Sequence, residues 1–116
     1  MNPIPNNSAP KQAFTRTEVS TQLYERGLHY SNTGRVEDLT QARRLFQQAA
    51  ILGNSCAMER LGFMFQYGLG GPIDLNGALA MYNKALLLGY TESYLNIYCL
   101  NLLVEEVFGP HIFKKE

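Results

Sequence analysis

The strongest constraint on the fold is a pattern of small and aromatic residues that recurs after about 36 positions. The two copies share one spacing: Ala42, Phe46, Ala49 and Gly53 in the first, and Ala78, Tyr82, Ala85 and Gly89 in the second. A period in this range is typical of helical repeat arrays, whose units stack because none can bury its apolar face alone. The pattern therefore predicts an all-α solenoid, an architecture used more often for binding other proteins than for catalysis.

Capping and helix-breaking signals divide the chain into five predicted helices. Thr15 and Glu18 have the spacing of a capping box, in which a hydroxyl and a carboxylate each accept a backbone hydrogen bond. Asp38 and Asp74 are placed to open the second and fourth helices. The predicted helices cover residues 16–32, 38–52, 55–67, 74–89 and 92–106. The glycine-rich connection over residues 68–72 allows positive φ and is predicted to be a loop.

The helical pattern fills one domain between two short segments. Residues 1–14 contain three prolines and no helical periodicity, which predicts a flexible N-terminal arm. Residues 15–108 form the predicted repeat domain, and Gly109 and Pro110 then break the chain into a tail over residues 109–116. An apolar content of 46% is enough for a modest core in a chain of 116 residues.

Composition and charge argue against several classes of function. Ten basic and ten acidic residues give no net charge, so the chain lacks the basic surface that nucleic-acid binding requires. No run of apolar residues is long enough to span a membrane or to resemble a secretion signal. Cys56 and Cys99 lie within predicted helices and are expected to be thiols. These features predict a cytoplasmic protein without a nucleic-acid or membrane partner.

Residues 55–90 carry a specific combination of small, aromatic and glycine positions. These positions are Ala57, Leu61, Gly62, Phe65, Gly68, Gly70, Asp74, Ala78, Tyr82, Ala85 and Gly89. The combination resembles the Sel1-like repeat, a relative of the tetratricopeptide repeat with a longer loop between its paired helices. Residues 20–54 resemble a weaker copy, and a third unit is half present, with Tyr98 at the position of Gly62. The resemblance implies two antiparallel helix pairs, a C-terminal capping helix and a role in protein–protein interaction.

The resemblance also implies which helices face a partner. In this family the first helix of each pair lines the concave side, so the positions that do not turn toward the paired helix form a candidate groove. Its residues are Tyr24, Leu28, Glu59, Phe63, Gln66 and Leu95. An apolar groove of this kind usually marks a binding surface for a partner segment, a second copy or the chain's own arm. The alternative is a helical phase that differs by one position, which would place these residues in the core.

The last predicted helix indicates self-association. Residues 94–108 are apolar on nearly every side, and a helix of that kind requires burial on more than one face. Two and a half repeats are also fewer than such arrays generally need for stability. The sequence therefore predicts a homodimer through the C-terminal helix, with Tyr98, Leu102 and Phe108 at the contact.

No combination of residues indicates catalysis. His29 lies within a helix and His111 in the tail, each without a second ligand at helical spacing, so neither a metal nor a cofactor is predicted. The glycines at 68–71 lack the Lys and Ser/Thr of a phosphate-binding loop. The sequence predicts a non-enzymatic adaptor or regulator that binds a partner protein or peptide. The alternatives are a structural subunit or cap of a larger complex and a hydrolase-type enzyme.

Overall fold

The computed structural model describes residues 13–108, and the side chains of residues 13–106. This range contains five helices: α1 (Arg16–Ser31), α2 (Val36–Ile51), α3 (Ser55–Tyr67), α4 (Leu75–Leu87) and α5 (Ser93–Phe108). It contains no strand, so the all-α prediction is confirmed. Most of the predicted arm and the whole of the predicted tail lie outside the described residues.

The helices pair in chain order. α1 packs against α2 and α3 against α4, and contacts between α2 and α3 join the two pairs. α5 packs on α4 and is the last helix in the described part of the chain. The arrangement is a short solenoid of two helix pairs followed by a terminal helix, as the repeated pattern predicts.

In each helix pair, an aromatic ring of the second helix packs on a glycine of the first helix. Phe46 of α2 lies over Gly27 of α1, and Tyr82 of α4 lies over Gly62 of α3. A Cβ atom at Gly27 or Gly62 would lie 2.6 or 2.7 Å from the ring, and each aromatic residue is only 1% exposed. Glycine is therefore required at both positions, because a methyl group would force the paired helices apart.

Alanines of the repeated pattern are buried between the helices. Five of them have no exposed surface: Ala42, Ala49, Ala57, Ala78 and Ala85. Larger neighbours such as Leu61 and Met64 complete the main core cluster between the two pairs. The small residues of the repeated pattern thus allow the helices to pack closely.

Two of the predicted helix caps are present. Thr15 and Glu18 form the capping box of α1, with hydrogen bonds of 3.0 and 3.1 Å between each side chain and the backbone N–H of the other residue. Asp74 caps α4 by accepting a hydrogen bond of 2.9 Å from the backbone N–H of Gly77. Both contacts satisfy N–H groups that the first turn of a helix leaves without partners.

The predicted cap of the second helix is wrong. α2 begins earlier, at Val36, and its N-cap residue is Arg35, which makes no side-chain capping bond. Asp38 lies inside the first turn, where its carboxylate accepts a hydrogen bond of 2.7 Å from the hydroxyl of Thr33. A negative charge in the first turn still interacts favourably with the helix dipole, so Asp38 supports the helix without capping it.

A side chain from the first helix pair holds the loop of the second pair. Arg43 of α2 donates hydrogen bonds to the carbonyl oxygens of Leu69 and Pro72 at 3.0 and 2.9 Å. Its guanidinium carbon lies 4.6 Å from the centroid of the Phe65 ring. In the same loop Gly70 has a φ of 71° and packs directly against the backbone of α2, so a side chain has no room there. Arg43 therefore ties the two pairs together.

Candidate protein-binding surface

An exposed aromatic pair on α3 forms the centre of the candidate binding surface. Phe63 is 45% exposed, and its ring centroid lies 4.7 Å from that of Tyr67, which is 54% exposed. Positions four residues apart lie on one face of a helix, so the two rings form a continuous apolar surface. Tyr67 was absent from the sequence prediction, although its spacing from Phe63 is the signal that identifies it. The pair is suited to packing against a partner, since aromatic rings dominate the energetics of interfaces.

A pocket of about 190 Å³ lies beside Phe63, where the two helix pairs meet. Its lining comes from the end of α1 and the residue after it, from α2, from α3 and from the loop after α3: Ser31, Asn32, Leu39, Phe46, Arg60, Phe63, Met64 and Leu69. Arg60 is exposed and lies one helical turn before Phe63, so a positive charge borders an apolar pocket. This combination can receive an apolar side chain that is followed or preceded by a carboxylate.

Two predicted groove residues on α1 are only partly exposed. Tyr24 and Leu28 both pack against the main core cluster. The ring centroid of Tyr24 lies 5.8 Å from that of Phe46, so Tyr24 also packs near the ring that contacts Gly27. Both residues therefore combine a core contact with some accessible surface, and neither is a freely exposed anchor.

Gln66 differs from the sequence expectation, because it faces the paired helix and not solvent. It is 7% exposed, and its Oε1 accepts a hydrogen bond of 2.8 Å from the hydroxyl of Tyr82. Burial raises the pKa of Tyr82, and the carboxylate of Glu59 adds to the rise, so this phenol stays protonated and remains a donor at neutral pH. Gln66 thus stabilises the contact between α3 and α4 and is not accessible to a partner in this conformation.

Glu59 links α3 to the terminal helix. Its carboxylate accepts a hydrogen bond of 3.1 Å from the side-chain amide of Asn96 on α5. Leu95, the neighbouring residue on α5, is 68% exposed. The structure therefore gives Glu59 a role in positioning α5, while Leu95 remains accessible at the end of the array.

α5 exposes a second apolar surface. Leu100 faces α4 and is only 1% exposed. Elsewhere on the helix, four large apolar residues are between 49% and 68% exposed: Tyr94, Leu95, Tyr98 and Leu102. These four residues form the terminal face of α5. The side chain of Phe108, the third residue predicted for self-association, lies outside the described residues.

The remaining candidates for chemistry do not form a site within the described side chains. His29 is exposed and packs edge-on against Tyr30, with 5.7 Å between ring centroids, and His111 lies outside the described residues. Among residues 13–106, no three His, Cys, Asp or Glu side chains are grouped so that they could hold a metal ion. Over the described helices, none is both long and apolar enough to cross a bilayer.

Comparison with known proteins supports the repeat assignment. The pattern of the Sel1 repeat matches residues 18–54 and 57–90. The first match covers nearly all of α1 and all of α2, and the second covers most of α3 and all of α4. No curated protein matches the chain. Sel1 repeats generally mediate protein–protein interaction. Because the two matches span more than half of the sequence, the protein belongs to the Sel1 repeat family.

Proposed function

We propose that the protein is a non-enzymatic adaptor or regulator that binds a segment of a partner protein around Phe63. The observation that carries this proposal is the exposed pair of Phe63 and Tyr67 beside a pocket bordered by Arg60. An aromatic or aliphatic anchor of the segment packs on the rings, and an acidic residue pairs with the guanidinium. The partner is therefore a peptide segment with an apolar residue next to Asp or Glu.

The composition of the pocket favours binding over catalysis. Its lining consists of apolar side chains, small polar side chains and the single cation of Arg60. A hydrolase-type site needs a nucleophile or general base within hydrogen-bond reach of the substrate, usually with a shifted pKa. The pocket offers instead one charge and a shaped apolar surface, which fix the orientation of a bound segment.

We also propose that the protein is located in the cytoplasm. Cys56 and Cys99 are both free thiols. Free thiols are the state that a reducing compartment maintains. Cys99 is also exposed on α5, where an oxidising environment would readily modify it.

A structural subunit of a larger complex is the second candidate, and the terminal face favours it. Terminal units of repeat arrays usually present a polar outer surface, but four exposed residues of α5 are apolar. The two candidates make different predictions. Binding through the pocket depends on Phe63, whereas assembly through the end of the array depends on Tyr98.

The test of the proposed function is selection of randomised peptides displayed on phage, followed by titration of the recovered peptides. We expect these peptides to combine an aromatic or aliphatic residue with Asp or Glu, and F63A to weaken their binding at least about tenfold. V36A is the matched control, since Val36 is 74% exposed on α2 and lies outside the pocket. Equal affinities for F63A and the wild type would show that the surface around Phe63 is not the binding site.

Stability measurements separate a binding role of Phe63 from a core role. Truncation of a buried Phe typically costs about 3–5 kcal/mol of unfolding free energy. Because Phe63 is 45% exposed, F63A is expected to lose clearly less than this in urea denaturation. A loss in the full range would show that Phe63 acts mainly in the core.

A further inference from the structure

The terminal face lies where a repeat array would place its next helix. In the interior, a cleft is lined by Gln47, Ala50, Met58, Leu61 and Phe65, and α4 supplies the remaining wall. At the end of the array an open cleft is lined by Asn83, Leu86, Tyr94, Ile97 and Asn101. Each of these residues follows its counterpart in the interior cleft by about 36 positions, the period of the repeat. In the described part of the chain, no helix supplies the wall that α4 provides in the interior.

Tyr98 restricts what can fill the open position. It stands at the repeat position of Gly27 and Gly62, on which the rings of Phe46 and Tyr82 pack. At Gly27 and Gly62 even a Cβ atom would collide with the ring of the paired helix. The larger side chain of Tyr98 therefore leaves no room for an aromatic ring of another Sel1-type helix to pack in the same way. Tyr98 is itself 59% exposed, so the occupant must pack against its ring.

The charge and spacing of the terminal face are compatible with its packing against a second copy of itself. Residues 93–104 carry no charged side chain, so two copies of this surface meet without repulsion between like charges. The spacing is also symmetric, since Tyr94 precedes Tyr98 by four residues and Leu102 follows it by four. In an antiparallel pair of α5 helices with Tyr98 on the twofold axis, each Tyr94 packs against Leu102 of the other copy. A twofold contact requires this kind of self-matching surface.

We propose that the protein forms a homodimer in which the α5 helices of two copies pack antiparallel across Tyr98. Each α5 then fills the open position at the end of the other array, and the two copies form one continuous array. The interface lies on α5, whereas the surface around Phe63 lies on α3, so the dimer presents two such surfaces. The proposal does not rest on the peptide-binding function.

The test is molar mass by light scattering across a wide dilution series for the wild type, Y98E, Y98K and V36E. The wild type and the V36E control are expected to be dimeric. Y98E and Y98K are each expected to raise the dimer dissociation constant at least about tenfold, because like charges meet at the axis. An equal mixture of Y98E and Y98K is expected to restore the dimer, since opposite charges then face each other.

The outcomes separate the proposed interface from other occupants of the same surface. Thermal melting followed by circular dichroism shows whether each variant is folded, as expected for substitutions at a residue that is 59% exposed. A monomeric wild type at every concentration would overturn the proposal and leave the terminal face to the chain's own tail or another protein. A dimeric wild type whose mixed Tyr98 variants stay monomeric would overturn the placement of the twofold axis.

Discussion

Replacing Tyr82 by Phe removes one hydroxyl group from the contact between α3 and α4. In the native protein this hydroxyl donates a hydrogen bond of 2.8 Å to Gln66, and the two residues are only 1% and 7% exposed. Y82F keeps the ring that packs on Gly62, so the apolar part of the contact is preserved. The amide oxygen of Gln66 loses its donor in a place that water hardly reaches.

The expected cost of Y82F is about 1–3 kcal/mol of unfolding free energy, the range for leaving a buried polar group without its partner. Q66M is also expected to destabilise the protein, since the hydroxyl of Tyr82 then lacks an acceptor. The double variant Q66M/Y82F is expected to recover much of the loss, because apolar groups replace both partners of the bond. The four proteins form a double-mutant cycle that measures the coupling between the two side chains.

Urea denaturation followed by circular dichroism at neutral pH measures the four free energies of unfolding. Y67F is the matched control, because Tyr67 is on α3 and 54% exposed, and its change is expected to stay within about 0.5 kcal/mol. If the losses in Y82F and Q66M simply add in the double variant, the hydrogen bond does not couple the two helices. A Y82F protein as stable as Y67F would refute the reasoning equally.

Two further substitutions test other contacts by unfolding measurements. Ser93 has no exposed surface, and its hydroxyl has no hydrogen-bond partner. S93A is therefore expected to raise the free energy of unfolding by about 1 kcal/mol, and a lower melting temperature would contradict this. R43M removes both hydrogen bonds to the loop after α3 and is expected to cost about 2 kcal/mol, whereas R44M at the exposed neighbouring position stays within about 0.5 kcal/mol. Equal losses in urea denaturation would show that Arg43 does not hold the loop.

Local sequence signals predicted the helices well because each depends on residues close in the chain. The capping box of Thr15 and Glu18 and the cap at Asp74 are contacts over three residues, and both are present. Asp38 has a similar sequence context to Asp74 but does not cap. The chain before it already enters the helix at Val36, and the Asp38 carboxylate interacts with Thr33 instead.

The candidate binding surface was harder to predict because it depends on contacts between helices. Phe63 and Gln66 are three residues apart, so helical periodicity places them on neighbouring parts of one face. The structure separates them: Phe63 is 45% exposed, whereas the hydroxyl of Tyr82 on α4 holds Gln66 inside. The periodicity of α3 alone contains no information about that hydroxyl. Tertiary packing therefore decides which polar residues of an amphipathic helix are available for binding.

Tyr98 stands at the position where the two complete repeats have Gly27 and Gly62, and its side chain is 59% exposed. At the equivalent positions, Gly27 and Gly62 admit the aromatic ring of the paired helix, and a tyrosine leaves no room for a ring packed in the same way. A polar residue at this position would block such a ring equally well and would also give the polar outer surface that terminal repeats usually have. The protein instead exposes the Tyr98 ring between Tyr94 and Leu102, on a stretch of helix without charge. A capping helix does not require this apolar surface, whereas the proposed dimer interface does.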